Sequence, residues 1–112
     1  MPFFNKNDLE LIEAVPGFFG QFFNSKNMTF GHYSVSAGES LHEHCHEGEE
    51  VLMMIKGKME ITLNGKTKVI GPHDVVVIPS NAPHSLRMVT DTNFIAVDHP
   101  VRDSINGKIP SS

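Results

Sequence analysis

Three histidines stand at every second position within the stretch Gly38–Gly57: His42, His44 and His46. Glu43, Glu47, Glu49 and Glu50 surround them. Alternate residues of a strand share one face and lie about 7 Å apart along it. His44 and His46 therefore point one way and Cys45 the other. Two such imidazoles, joined by a carboxylate from the next segment, have the composition of a transition-metal site. His84, in the proline-punctuated stretch IPSNAPHSL, is the candidate for a further ligand. The pair can also be drawn one step earlier, as His42 and His44, with His46 outside. A strand rich in His and Glu can equally be a solvated, charged face.

Glycines frame the stretch. From Gly38 the chain runs five residues to His44, one to His46, three to Glu50 and six to Gly57. This spacing resembles the first motif of the cupin superfamily at every fixed position. Downstream, His73-Asp74, the apolar run Val75–Ile78, Pro79, Asn81 and His84 resemble the second cupin motif. His73 and Asn81 stand where glycines are usual, and Asn tolerates a positive φ better than most residues. The resemblance implies an all-β fold, a single cupin barrel of the jelly-roll or double-stranded β-helix type. It also implies one divalent transition metal held by His44, His46, Glu50 and His84. Imidazole and carboxylate suit Zn, Ni, Fe, Mn or Cu and do not choose among them.

A second resemblance concerns the run FIAVDHPVRDSI, Phe94 to Ile105. Small cupins that open the ring of 4,5-unsaturated uronates in pectin and alginate breakdown carry a similar Asp-Val-Phe-Ser-Pro-x-Arg run there. Val97, Pro100 and Arg102 match it, while Ala96 and Asp98 stand at its Asp and Phe positions. That group also often has Gln where this chain has Glu50. The likeness extends over roughly residues 17–105. It implies a small-molecule substrate, a carboxylated sugar, with Arg102 clamping its carboxylate and Asp98 supplying acid/base function from the same strand face. Two other classes fit a cupin: a metal-dependent dioxygenase and a non-catalytic small-ligand-binding protein.

The elements that must position these residues are short strands. Met28–Ser36, Lys58–Leu63, Lys66–Ile70, His84–Val89 and Asn93–Val97 read as strands, with Asn64-Gly65 as a hairpin turn. Val51–Ile55 is an unbroken apolar run, like a strand buried on both faces, and Asp74–Ile78, apolar from Val75 onward, reads as a second such strand. Short strands at this spacing, with no long helical period, mean a sandwich or barrel. Asp8–Ala14 suits a helical turn or a short strand. Residues 1–27 hold Phe3, Phe4, Phe18, Phe19, Phe22 and Phe23, six of the eight phenylalanines. Such a segment packs on the barrel or on a dimer interface, so a homodimer is expected, with Phe18–Phe23 at or near the contact. The organisation is then 1–27 aromatic segment, 28–105 cupin barrel and 106–112 frayed polar tail.

Composition bounds the rest. A chain of 112 residues is one domain and buries roughly two-thirds of its unfolded surface. A net charge of −4 with only Arg87 and Arg102 as arginines speaks against nucleic acid as partner. No apolar run has the length of a membrane span, and charges interrupt the start, MPFFNKNDLELIE. A cytoplasmic protein is expected. The single cysteine, Cys45, allows no internal disulfide.

Overall fold

The computed structural model describes residues 3–102. The expected tail, 106–112, lies outside the described residues. Ten strands form two antiparallel sheets. In chain order they are β1 (Leu11–Val15), β2 (Phe18–Asn24), β3 (Thr29–Val35), β4 (Ser40–His44) and β5 (Glu49–Lys56), then β6 (Met59–Leu63), β7 (Lys66–Ile70), β8 (Val75–Ile78), β9 (His84–Met88) and β10 (Thr92–His99). The larger sheet has the order β1-β2-β3-β10-β5-β8 and the smaller one β4-β9-β6-β7. A single 3-10 turn, Lys6–Asp8, is the one helical element among the described residues. The all-β architecture read from the sequence is the one observed.

Alternation produces the core. On β2 Phe18 and Phe22 point inward, on β3 Tyr33 and Val35, on β6 Met59 and Ile61, on β10 Phe94 and Ala96, and all eight are buried. Tyr33 stacks on Phe94 at 4.7 Å and meets the edge of Phe22 at 5.2 Å. Phe18 and Phe22 therefore belong to the chain's own core, while Phe19 and Phe23 face outward. Phe4 stacks on Phe23 and Phe23 on Phe30, so the start of the chain folds back over the outer face of β2 and β3.

The Phe22 ring occupies space that two glycines leave open. A Cβ on Gly31 would fall 2.6 Å from the ring and one on Gly20 2.7 Å from it. Neither contact ends at a flexible side-chain tip, so an added methyl overpacks the core. Gly31→Ala is expected to cost about 1–3 kcal/mol in denaturant unfolding, and Phe22→Ala about 3–5 kcal/mol. Equal stability of Gly31→Ala and wild type would contradict this packing.

Two strand expectations need correction. Val51–Ile55 and Val75–Ile78 do form strands, but neither is buried on both faces. Leu52, Met54 and Ile78 are buried, whereas Met53 and Ile55 are 42% and 44% exposed and Val75 and Val77 are 56% and 51% exposed. The larger sheet has the core on one side, and none of the described residues covers Met53, Ile55, Val75 and Val77 on the other.

Candidate metal centre

His44 ends β4, His46 follows in the loop, Glu50 lies on β5 and His84 opens β9. These elements meet because β4 pairs with β9 and places His44 opposite His84. The pairing shifts between Leu41 and His44, a bulge that changes the phase of the strand. Leu41 and His44 consequently both line the interior, although their spacing is odd, and His42 is exposed. His42 is not among the clustered imidazoles, whereas His44, His46 and His84 lie with their ligand nitrogens within 4.8 Å of one another.

Each clustered ring is oriented by a backbone carbonyl. His44 Nδ1 donates to His42 O at 2.9 Å, His46 Nδ1 to Gly48 O at 2.9 Å and His84 Nδ1 to Ala82 O at 2.8 Å. That fixes the tautomer and leaves each Nε2 lone pair for another partner. His46 Nε2 is buried with no hydrogen-bond partner. Glu50 Oε1 lies 3.6 Å from it and 4.0 Å from His84 Nε2. Ligand atoms about 2.1 Å from a shared ion sit about 3.0–4.2 Å apart, so the donor set fits one cation. The four residues make a possible metal site; the donors do not name the ion.

The loops behind the cluster are pinned to each other. Asn81 N–H donates to His46 O at 2.7 Å, and the Ser80 hydroxyl donates to Glu47 O. Asn81 has φ 63° and His73 φ 75°, the left-handed region that glycine occupies most easily. The two positions that depart from the usual glycines therefore keep a glycine-like backbone.

Arg102 and Asp98 border the cluster on one side. The Arg102 backbone N–H donates to Thr29 Oγ1 at 2.7 Å, and that hydroxyl donates to Asn24 Oδ1 at 2.6 Å. This buried relay holds the end of the described chain over the barrel mouth. Arg102 Nη1 lies 3.6 Å from Glu50 Oε2 and 3.5 Å from Asp98 Oδ2. Glu50 thus turns one oxygen to the imidazoles and the other to the guanidinium. His46, Glu50 and Asp98 also cluster, but the Arg102 charge disfavours a cation between the two carboxylates.

The sequence family described as a cupin domain matches residues 31–100. The chain belongs to the cupin family. An uncharacterized protein of Streptomyces coelicolor is 27% identical over 92 residues, 81% of this chain and 88% of that one. KdgF from Halomonas sp. superposes with a TM-score of 0.85 at 20% identity, over 94% of this chain and 98% of that chain. An RmlC-like cupin from Shewanella frigidimarina gives a TM-score of 0.84 at 20% identity, over 92% and 94% of the two chains. These structures show the fold.

Burial sets the protonation of this cupin's site. Asp98 is pushed up to about 7, first by burial and then by the neighbouring Glu50 charge. Burial would raise Glu50 as well, but the adjacent His46 ring and the Arg102 charge outweigh it and hold Glu50 low. His46 is raised by Glu50, and His84 is lowered by burial. The linkage for Asp98 has a definite sign. Its folded value lies above the ordinary 3.8, so its contribution favours folding at low pH and is lost as pH rises through about 7. In metal-free protein, Asp98→Asn is therefore expected to raise stability at pH 8 by about 1–2 kcal/mol and to change little at pH 5. Denaturant melts at the two pH values check it; an equal effect at both would contradict it.

Two openings flank the cluster. The inner cavity, about 40 Å³, touches His44, Glu50, His84, Tyr33 and Arg102 and otherwise has apolar walls. It has room for no more than a few water molecules. The outer groove, about 220 Å³, is lined by His46, Gly48, Asp98, Pro100, Val101 and Arg102, among others. Arg102 borders both. Sequence reasoning missed Tyr33, whose hydroxyl lies in the field of Arg102, Glu50 and Asp98, and the Asn24–Thr29 relay. Strand alternation carried the signal: Thr29, Gly31 and Tyr33 share the inner face of β3.

No helix among the described residues is long and apolar enough to cross a membrane.

Proposed function

We propose that this cupin is a metal-dependent enzyme that opens the ring of a small carboxylated sugar, a 4,5-unsaturated uronate. The observation that carries the reading is the placement of Arg102 and Asp98 against Glu50, at the edge of the three-imidazole cluster. A carboxylated substrate needs a guanidinium fork, and ring opening of a cyclic hemiacetal needs a group that exchanges a proton near neutrality. Arg102 and Asp98 supply these side by side, facing the outer groove.

The inner cavity is too small for a sugar, so the substrate sits in the groove with its carboxylate on Arg102. A divalent ion on His44, His46, Glu50 and His84 would polarise a substrate oxygen. Asp98 accepts the proton that leaves the hemiacetal hydroxyl as the ring C–O bond breaks. It returns a proton to the enol carbon, so the product is an isomer of the substrate. Burial and the neighbouring Glu50 charge keep the Asp98 carboxyl available in both forms at pH 7.

One observation favours a second reading, a dioxygenase: the inner cavity beside His44 and His84 has the size for a diatomic molecule. Metal-loaded protein in an unsaturated-uronate absorbance assay separates the two. Loss of the double-bond absorbance supports ring opening. An inert uronate with metal-dependent O₂ uptake on another substrate supports the dioxygenase, and neither activity leaves a ligand-binding role.

A further inference from the structure

One strand breaks the alternation that builds the core. β7 pairs with β6 so that Leu63 stands opposite Lys66, Ile61 opposite Lys68 and Met59 opposite Ile70. Met59 and Ile61 are buried in the core, so Lys66 and Lys68 lie on the core side of the smaller sheet. Thr67 and Val69 take the outer side. β7 is the edge strand of the smaller sheet and β8 the edge strand of the larger one. A groove of about 400 Å³ lies between these two edges. Ile61, Leu63, Ile70 and Val76 give it apolar walls, and Lys66, Lys68 and Asp74 give it charge. Among the described residues neither lysine takes part in an ion pair. Asp74 lies in the turn that joins β7 to β8, where its carboxylate accepts the Gly71 N–H at 2.9 Å.

We propose that this groove binds a single-chain carboxylate, a medium-chain fatty acid, with its head on Lys66 and Lys68 and its chain along Ile61, Ile70 and Val76. Charge selects the head. Two lysines on successive inward positions repel each other above an apolar floor, and a carboxylate between them relieves that repulsion. Asp74 at the far end disfavours the reverse orientation. Shape selects the chain. The volume lies within the roughly 300–1,000 Å³ of small-molecule pockets, whereas the inner cavity by the metal cluster is about 40 Å³. From Lys66 to Ile70 the wall runs four residue steps, about 14 Å. An added peptide strand is a poor occupant, because charges on the inward face of an edge block strand pairing. An acyl chain makes no demand on the backbone groups of either edge, and the open groove leaves those to water. The groove shares no residue with the imidazole cluster, Asp98 or Arg102, so the inference does not depend on the proposed reaction.

Calorimetric titration of the full chain with hexanoate, octanoate and decanoate tests it. Each added methylene is expected to tighten binding about 3-fold, so decanoate binds about 10-fold tighter than octanoate. Lys66→Gln with Lys68→Gln is expected to weaken decanoate at least about 10-fold, with decanol binding and metal content unchanged. Both lysines are exposed, so the double variant keeps the fold. A nitroxide-labelled fatty acid locates the site, and it is expected to broaden the amide resonances of β7 and β8 first. Decanoate binding that the double variant leaves intact would overturn the inference. So would broadening centred on the barrel mouth, near His46 and Arg102. Absence of binding at about 1 mM decanoate would also overturn it and leave the inward lysines as protection of the sheet edge alone.

Discussion

His44→Ala is expected to lower affinity for a divalent metal by a factor on the order of 100 or more, while His42→Ala leaves metal content at wild-type level. His44 sits opposite His84, and its Nδ1 is already committed to a backbone carbonyl, so its Nε2 is the free donor. Removing it leaves two imidazoles and one carboxylate, and that carboxylate is shared with Arg102. His42 is two residues away and exposed, and the bulge between Leu41 and His44 turns it from the interior. Its carbonyl, which orients His44, survives the alanine substitution. Metal content after dialysis against a weak chelator measures both variants. Loss of metal in His42→Ala with retention in His44→Ala would move the site two residues along the chain.

The second large effect divides between binding and turnover. Arg102→Ala is expected to raise KM for an unsaturated uronate about 10–100-fold with a smaller change in kcat, since a charge-assisted hydrogen-bond pair contributes about 1.5–3 kcal/mol. The substitution keeps the backbone N–H that anchors the segment to Thr29, so the mouth of the barrel is retained. Arg102→Lys does not restore the wild-type KM, because a point charge cannot replace the fork. Asp98→Asn is expected to lower kcat about 10²–10⁴-fold with KM nearly constant, as removal of a general base does. Steady-state kinetics on metal-loaded protein reads both. A drop in kcat alone for Arg102→Ala, with KM constant, would contradict its role as a carboxylate clamp.

Much of this was legible in the sequence, and the misses have physical causes. The frame from Gly38 to Gly57 placed His44, His46 and Glu50 together, because it spans β4, the loop that crosses to the other sheet and β5, with a positive-φ glycine at each end. Strand alternation alone could not have separated His42 from His46, since the bulge before His44 breaks the period that the argument used. His73 and Asn81 hid the second motif only partly; their positive φ shows that the backbone needs the conformation and tolerates the residue. Asp98 and Arg102 were found through a resemblance, but the contact of both with Glu50 depends on how the chain returns over the barrel mouth. That return is held by Thr29 and Asn24, far upstream, and no local pattern announces it. Val51–Ile55 and Val75–Ile78 read as doubly buried because an unbroken apolar run carries no alternation to mark an exposed face, whereas the described residues cover only one face of each strand.

The central claim is that His44, His46, Glu50 and His84 hold one metal ion. X-ray absorption of the protein loaded with nickel or zinc tests it most directly. The expected spectrum shows one ion per chain with nitrogen and oxygen neighbours at about 2.0–2.2 Å, multiple scattering from three imidazoles, and loss of that signal in His44→Ala. A sulfur neighbour at about 2.3 Å, which Cys45 alone among the cysteines could supply, or a bound fraction that His44→Ala leaves unchanged, would contradict it.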